Sequence, residues 1–287
     1  MNQSNKENFL AQLTELQYNQ NVQQCWKDLA AGVELRSMDI HEQSLQGDKS
    51  LTPFLAWWHS CCELLAGRQV VISKVDFNGA DNGGEADEYI ELYNNGPMII
   101  DLGNWRVNAG DVGQDLTFPE CTYIKPAQTI RIYTRKKGEF SFNSNKSIWN
   151  NKGDIAYLYD QNQQLVSTWC YGNDAHELVF ISDIFYDGLE KRTEGDEYAV
   201  ISNKSDHWVD LSGWQLSAGN EQNYTFPAGS AVAPHSSVRV YTNHIEPCTG
   251  GYSFGSKTAV WNNQGDTGQL SDMSGHVVSQ YSYSQAK

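Results

Sequence analysis

Over most of this chain, short runs in which apolar and polar residues alternate are separated by turn residues, the pattern of half-buried β-strands. In Glu88-Tyr89-Ile90-Glu91-Leu92-Tyr93, a period of two puts Tyr89, Glu91 and Tyr93 on one face and Ile90 and Leu92 on the other. Residues 70–75, 155–159 and 178–184 read as further strands. Ahead of them the period changes. From residue 8 to 35 the positions Phe9, Leu13, Leu16, Val22, Trp26, Leu29 and Val33 approximate a helical stripe. Thr52 as N-cap, Pro53 at the first helical position and Gly67 as a stop predict a second helix. With Phe54, Leu55, Trp57, Trp58, Cys61, Cys62, Leu64 and Leu65 it is apolar all round, so it needs a covering surface, on the first strand-rich unit or on another chain. Trp57 and Trp58 are therefore candidate partner-binding residues.

The strand pattern occurs twice. Asp87-Glu88-Tyr89 recurs as Asp196-Glu197-Tyr198, and Asp101-Leu102-Gly103-Asn104-Trp105 as Asp210-Leu211-Ser212-Gly213-Trp214, both at an offset of 109. Thr117-Phe118-Pro119 and Arg131-Ile132-Tyr133-Thr134 return 108 residues later, and Trp149-Asn150-Asn151-Lys152-Gly153-Asp154 returns 112 residues later. Insertions thus fall between blocks, where loops absorb them. The chain divides into a helical N-terminal segment (1–68) and two sandwiches (69–174 and 175–287).

The shared blocks have reasons to exist that are purely structural. In Asp210-Leu211-Ser212-Gly213-Trp214 the Asp caps a turn, the Gly takes a positive φ, and Leu and Trp point inward. The first copy has Asn104 where the second has Gly213, and Asn tolerates the same geometry. Trp-Asn-Asn-x-Gly-Asp reads as a core Trp entering a tight turn before a strand.

This ordered set resembles the lamin-tail domain, over roughly residues 70–285 and twice in succession. The resemblance implies two tandem immunoglobulin-like β-sandwiches used for protein contacts or tethering, and it implies no catalytic residue. No heptad array of rod length precedes the repeats.

Charge narrows the partners. The formal net charge is −15, spread as −3 over residues 1–69, −4 over 70–173 and −8 over 174–287, which disfavours nucleic acid. The sequence shows neither a signal peptide nor an apolar run of spanning length, so a soluble cytoplasmic protein is expected. Six irregularly spaced Cys argue against a disulfide framework.

Candidate chemistry is sparse. Gly251-Tyr252-Ser253-Phe254-Gly255 matches the G-x-S-x-G nucleophile pattern, but a β-type run rather than a helix follows it, so a hydrolase centred on Ser253 is disfavoured. The seven His form no zinc-binding spacing. The loop from Asp76 to Glu88 is rich in oxygen ligands, and Asp76, Asn78, Asp81, Glu85 and Asp87 are its calcium candidates. Their spacing misses the EF-hand pattern, and a solvated acidic loop is the plainer reading, as it is for Asp187, Glu190, Glu194, Asp196 and Glu197 in the second copy. Arg131, Arg135, Lys136 and Lys137 form a basic cluster at a hairpin tip, solvated or facing an acidic partner. The expected function is non-enzymatic protein interaction or assembly, as a scaffold or tether, with a homo-oligomer or a larger assembly among the expected arrangements. The alternative is a carbohydrate- or surface-binding module that stacks exposed Trp and Tyr on sugars.

Overall fold

A computed structural model describes residues 69–79, 87–96, 98–135, 138–219 and 222–284. The two expected N-terminal helices lie outside the described residues, as do Trp57, Trp58, Asp81, Glu85, Lys136 and Lys137.

The first copy runs through β1 (Val70–Asp76), β2 (Tyr89–Asn94), β3 (Ile100–Asp101), β4 (Arg106–Asn108), β5 (Asp115–Thr117), β6 (Tyr123–Ile124), β7 (Thr129–Tyr133), β8 (Phe140–Ser141), β9 (Gly153–Tyr159) and β10 (Leu165–Gly172). A 3-10 turn at Asn173–Ala175 leads into the second. That copy runs through β11 (Val179–Phe185), β12 (Tyr198–Asn203), β13 (Trp208–Asp210), β14 (Gln215–Ala218), β15 (Gln222–Thr225), β16 (Ala231–Val232), β17 (Ser237–Tyr241), β18 (Tyr252–Ser253), β19 (Gly265–Ser271) and β20 (Val277–Ser284).

In each copy a four-stranded sheet, β1-β2-β7-β8 or β11-β12-β17-β18, packs over a second sheet built on β4, β9 and β10 or on β14, β19 and β20. The fold is mainly β, as the alternation predicts. In β2, Ile90 and Leu92 are fully buried while Tyr89, Glu91 and Tyr93 are half-buried on the other face. Even irregularities repeat: β1 bulges against β2 between Ile72 and Lys74, and β11 against β12 between Ile181 and Asp183.

The turn chemistry follows the sequence reading. The Asp101 carboxylate accepts from the Gly103 amide at 2.8 Å, and Asp210 from the Ser212 amide at 2.7 Å. Asn104 and Gly213 hold φ of 64° and 76°. Leu102, Trp105, Leu211 and Trp214 are buried, and Trp149 and Trp261 anchor the two cores ahead of their tight turns.

The copies are fused through a sheet. Strand β10 of the first pairs in parallel with β13 of the second, Trp169 opposite Trp208 and Cys170 opposite Val209. A single six-stranded sheet, β16-β13-β10-β9-β4-β5, therefore crosses the boundary. Cys170 and Ile155 pack into the second core, while Trp208 and Ala231 pack against the first. The Thr168 hydroxyl meets His207 Nδ1 at 3.1 Å.

Candidate interaction site at the junction of the two sandwiches

Joining two sandwiches edge to edge leaves a cleft beside the shared sheet, of about 430 Å³. That lies within the usual size range of ligand pockets. Its first wall is the end of β1 and the turn after it, with Phe77 stacked on Tyr171 at 4.3 Å between ring centroids and 6° between planes. The Tyr171 hydroxyl donates to the Asn150 carbonyl at 3.0 Å, and burial pushes its pKa well up, so it stays a neutral donor. The second wall is the Asp210–Trp214 turn with the loop at Asp272 to Ser274, from which Met273 projects, 65% exposed.

Two carboxylates line this wall, with pKa values shifted in opposite directions. Burial raises the Asp210 pKa, against the hydrogen bonds it accepts from Ser212. Burial also works against Asp272, but there the bonds from Ser274, the His276 amide and His176 prevail and hold its pKa below the usual range. His176 lies 2.9 Å from Asp272 and stacks on His276. On the first wall Lys74 pairs with Asp76 and Tyr89, each at 3.0 Å. The cleft therefore offers an aromatic and thioether lining with charges of both signs, suited to binding an amphipathic side chain.

The other candidates fall elsewhere. Asp76 is tied to Lys74, Asn78 is exposed, and no group of three or more His, Cys, Asp or Glu that could hold a metal occurs among the described residues. In the second copy the acidic loop binds itself: Asp196 accepts from the Leu189 and Glu190 amides, Glu190 pairs with His244, and Glu194 accepts from Asn263. Glu197 departs from the solvated reading, because it is fully buried.

Arg131 lies over the Tyr89 ring at 4.5 Å and bonds Glu91 at 2.9 Å, and Arg239 repeats the stack over Tyr198 at 4.3 Å. Arg135 donates to the Asn145 carbonyl. The two Arg of the cluster are thus engaged within their own sandwich. Ser253 sits in β18, its hydroxyl donating to the Asn243 carbonyl at 2.9 Å and accepting from the Gly255 amide. Among the described Trp, five are buried and Trp208 is half-buried, so none is displayed for stacking on a sugar. Burial pushes the Cys170 thiol up to about 12, which removes it as a nucleophile. No helix among the described residues is long and apolar enough to cross a membrane.

The parallel junction and the cleft had no signal in either copy alone. Their signal is the contrast between copies: β10 carries Thr168, Trp169 and Cys170 where β20 carries Gln280, Tyr281 and Ser282.

Comparison with known proteins agrees with the repeat. The Lamin Tail Domain family matches the chain twice, over residues 65–173 and 173–285. No curated protein sequence matches. Among solved structures, the YadV chaperone aligns at 12% identity with a TM-score of 0.22, over 69% of this chain and 92% of its own. The S-layer protein SbsC, domains 7, 8 and 9, aligns at 13% identity with a TM-score of 0.16, over 75% of this chain and 59% of its own.

Proposed function

Because the chain belongs to the lamin tail domain family, with two tandem copies of the domain, we propose that it is a non-enzymatic interaction and assembly protein, a scaffold whose partner docks in the junction cleft. The observation that carries this reading is the parallel pairing of β10 with β13. It makes two sandwiches one body and creates, where they join, a concave surface that neither copy has alone. Aromatic walls, an exposed Met and charges of both signs suit a protein side chain better than a small metabolite or a phosphate backbone.

The test is a cross-linking pull-down from native extract with the full chain beside its Met273→Asp variant. Met273 is exposed, so the variant keeps its fold. A partner captured by the parent and lost from the variant supports the reading. Equal capture by both moves the interaction off the cleft. A specific signal on a glycan array, with no protein captured, favours a carbohydrate-binding module instead.

A further inference from the structure

The junction inside the chain has its two halves repeated, unjoined, at opposite ends of the described body. At the junction β10 gives its outer edge to β13. The counterpart of β10 in the second copy is β20, the outermost strand of its sheet among the described residues. The counterpart of β13 in the first copy is β3, which among those residues pairs with β6 alone.

Both halves keep the form of the junction. Tyr283 stacks on Tyr186 at 4.1 Å and 8°, and its hydroxyl donates to the Asn262 carbonyl at 3.0 Å, as Tyr171 does with Phe77 and Asn150. Ile100 lies opposite Ile124 as Val209 lies opposite Val232. The difference is cover. Ile99 and Tyr123 stand where Trp208 and Ala231 pack against the first core, and they are 44% and 52% exposed. In the same way β20 exposes Gln280 and Ser282 where β10 buries Thr168 and Cys170.

The edge of β20 is also unguarded. The edge strands β1 and β11 are each broken by a bulge and carry Lys74 or Asp183 beside it. In contrast β20 runs for 8 residues, Val277–Ser284, without a charge or a Pro, so another strand can add to it. Its face is polar, but the polar groups hold one another: Gln280 donates to Gln269 at 2.9 Å, and Thr267 and Ser282 share a bond at 2.8 Å. Those bonds survive when the face is covered. The apolar part of the contact comes from Ile99 and Tyr123, which makes it weaker than the fused junction and reversible.

We infer that the chain assembles head to tail, β20 of one molecule adding in parallel to β3 of the next. The register is that of the internal junction, with Tyr281 opposite Ile99 and Ser282 opposite Ile100. The occupant is a second copy because the chain already contains the completed contact, as β10 on β13. Such a contact is heterologous: it leaves a free β3 at one end and a free β20 at the other, so chains keep adding past a pair. It is independent of what binds in the cleft.

Sedimentation velocity on the full chain, from micromolar to millimolar concentration, tests it with two variants altered only at exposed positions. One, Gln280→Lys/Ser282→Lys, blocks the β20 end; the other, Ile99→Lys/Tyr123→Lys, blocks the β3 end. Circular dichroism checks that both are folded. The parent should grow past a dimer as concentration rises, and each variant alone should stay monomeric. Mixed one to one, the variants should form a dimer and nothing larger, since each supplies the end that the other lacks. A parent that stays monomeric or stops at a dimer, a variant that still grows, or a mixture that stays monomeric each overturns the inference.

Discussion

The carboxylate of Glu197 accepts a 3.0 Å hydrogen bond from the backbone amide of Val260, 63 residues away, and so fastens the loop before the core Trp261 to the start of β12. Thr242 and the Trp261 amide share the same oxygen, at 2.9 and 3.5 Å. The first copy repeats the device with Glu88, Thr134 and Ile148. The acidic residue of each Asp-Glu-Tyr block is therefore a buried clamp between the strand and the loop that carries the core Trp.

The clamp makes stability depend on pH. Burial, only partly offset by these bonds, raises the Glu197 pKa to about 7. The unfolded chain releases this proton near pH 4.5, so between there and neutrality the native state holds more protons than the unfolded one. Its contribution is fully present below pH 4.5 and is lost as pH rises through 7, by roughly 3 kcal/mol at ~1.4 kcal/mol per pH unit. Glu197→Gln should flatten that part of the curve and match or exceed the parent at pH 8. Urea midpoints of both proteins at pH 5 and pH 8 check this, and parallel curves would sink it.

Trp208 belongs to one copy and packs on the core of the other. Because the sheet is shared, the parent should melt in a single calorimetric transition over the described body. Trp208→Ala, at a half-buried site, should cost about 2 kcal/mol and split the melt in two. An unchanged single transition would show that the two copies are not coupled through this side chain.

Gly172 closes β10 at φ +63°, and a Cβ there would collide with the Lys152 carbonyl and lie 2.7 Å from the Gly153 Cα. Gly172→Ala should therefore destabilise by more than about 2 kcal/mol. Gly113, at φ +87° with nothing within 4 Å, is the control, and Ala there should cost only about 1 kcal/mol. Equal losses in thermal melts would mean that the backbone conformation, not the close approach, sets the cost.

Asn203 is 3% exposed and ties three carbonyls, donating from Nδ2 to His207, Val232 and Ala233 at 2.6, 3.1 and 3.0 Å while Oδ1 accepts from Ser205. Asn203→Asp turns the donor into an acceptor facing those carbonyls, and should cost on the order of 3 kcal/mol. A chemical-denaturation midpoint within error of the parent would refute this role.

Much of the fold could be read from the sequence because it depends on local rules. Alternation placed Ile90 and Leu92 inward, and the need for positive φ explained why Asn104 stands where Gly213 does. Glu88 and Glu197 were harder to read, since a carboxylate beside an acidic loop looks solvated until the amides at Ile148 and Val260 are brought to it by the fold. The cleft was hardest, because its walls at Phe77 and Met273 are almost 200 residues apart and meet only through the pairing of Cys170 with Val209. Repetition in the sequence identified the units. The contact between them lay in the residues that do not repeat.

The six residues 173–178 between β10 and β11 are too few, and too firmly tied by the pairing on either side, to act as a hinge. Equivalent loops of the two copies are thus held at one spacing and one orientation. A partner that touched both would gain the second contact without first ordering a linker, and a partner with the wrong spacing would gain nothing from it. For any partner that spans both copies, the short connection would act as a ruler, making distance as well as surface chemistry a condition of binding.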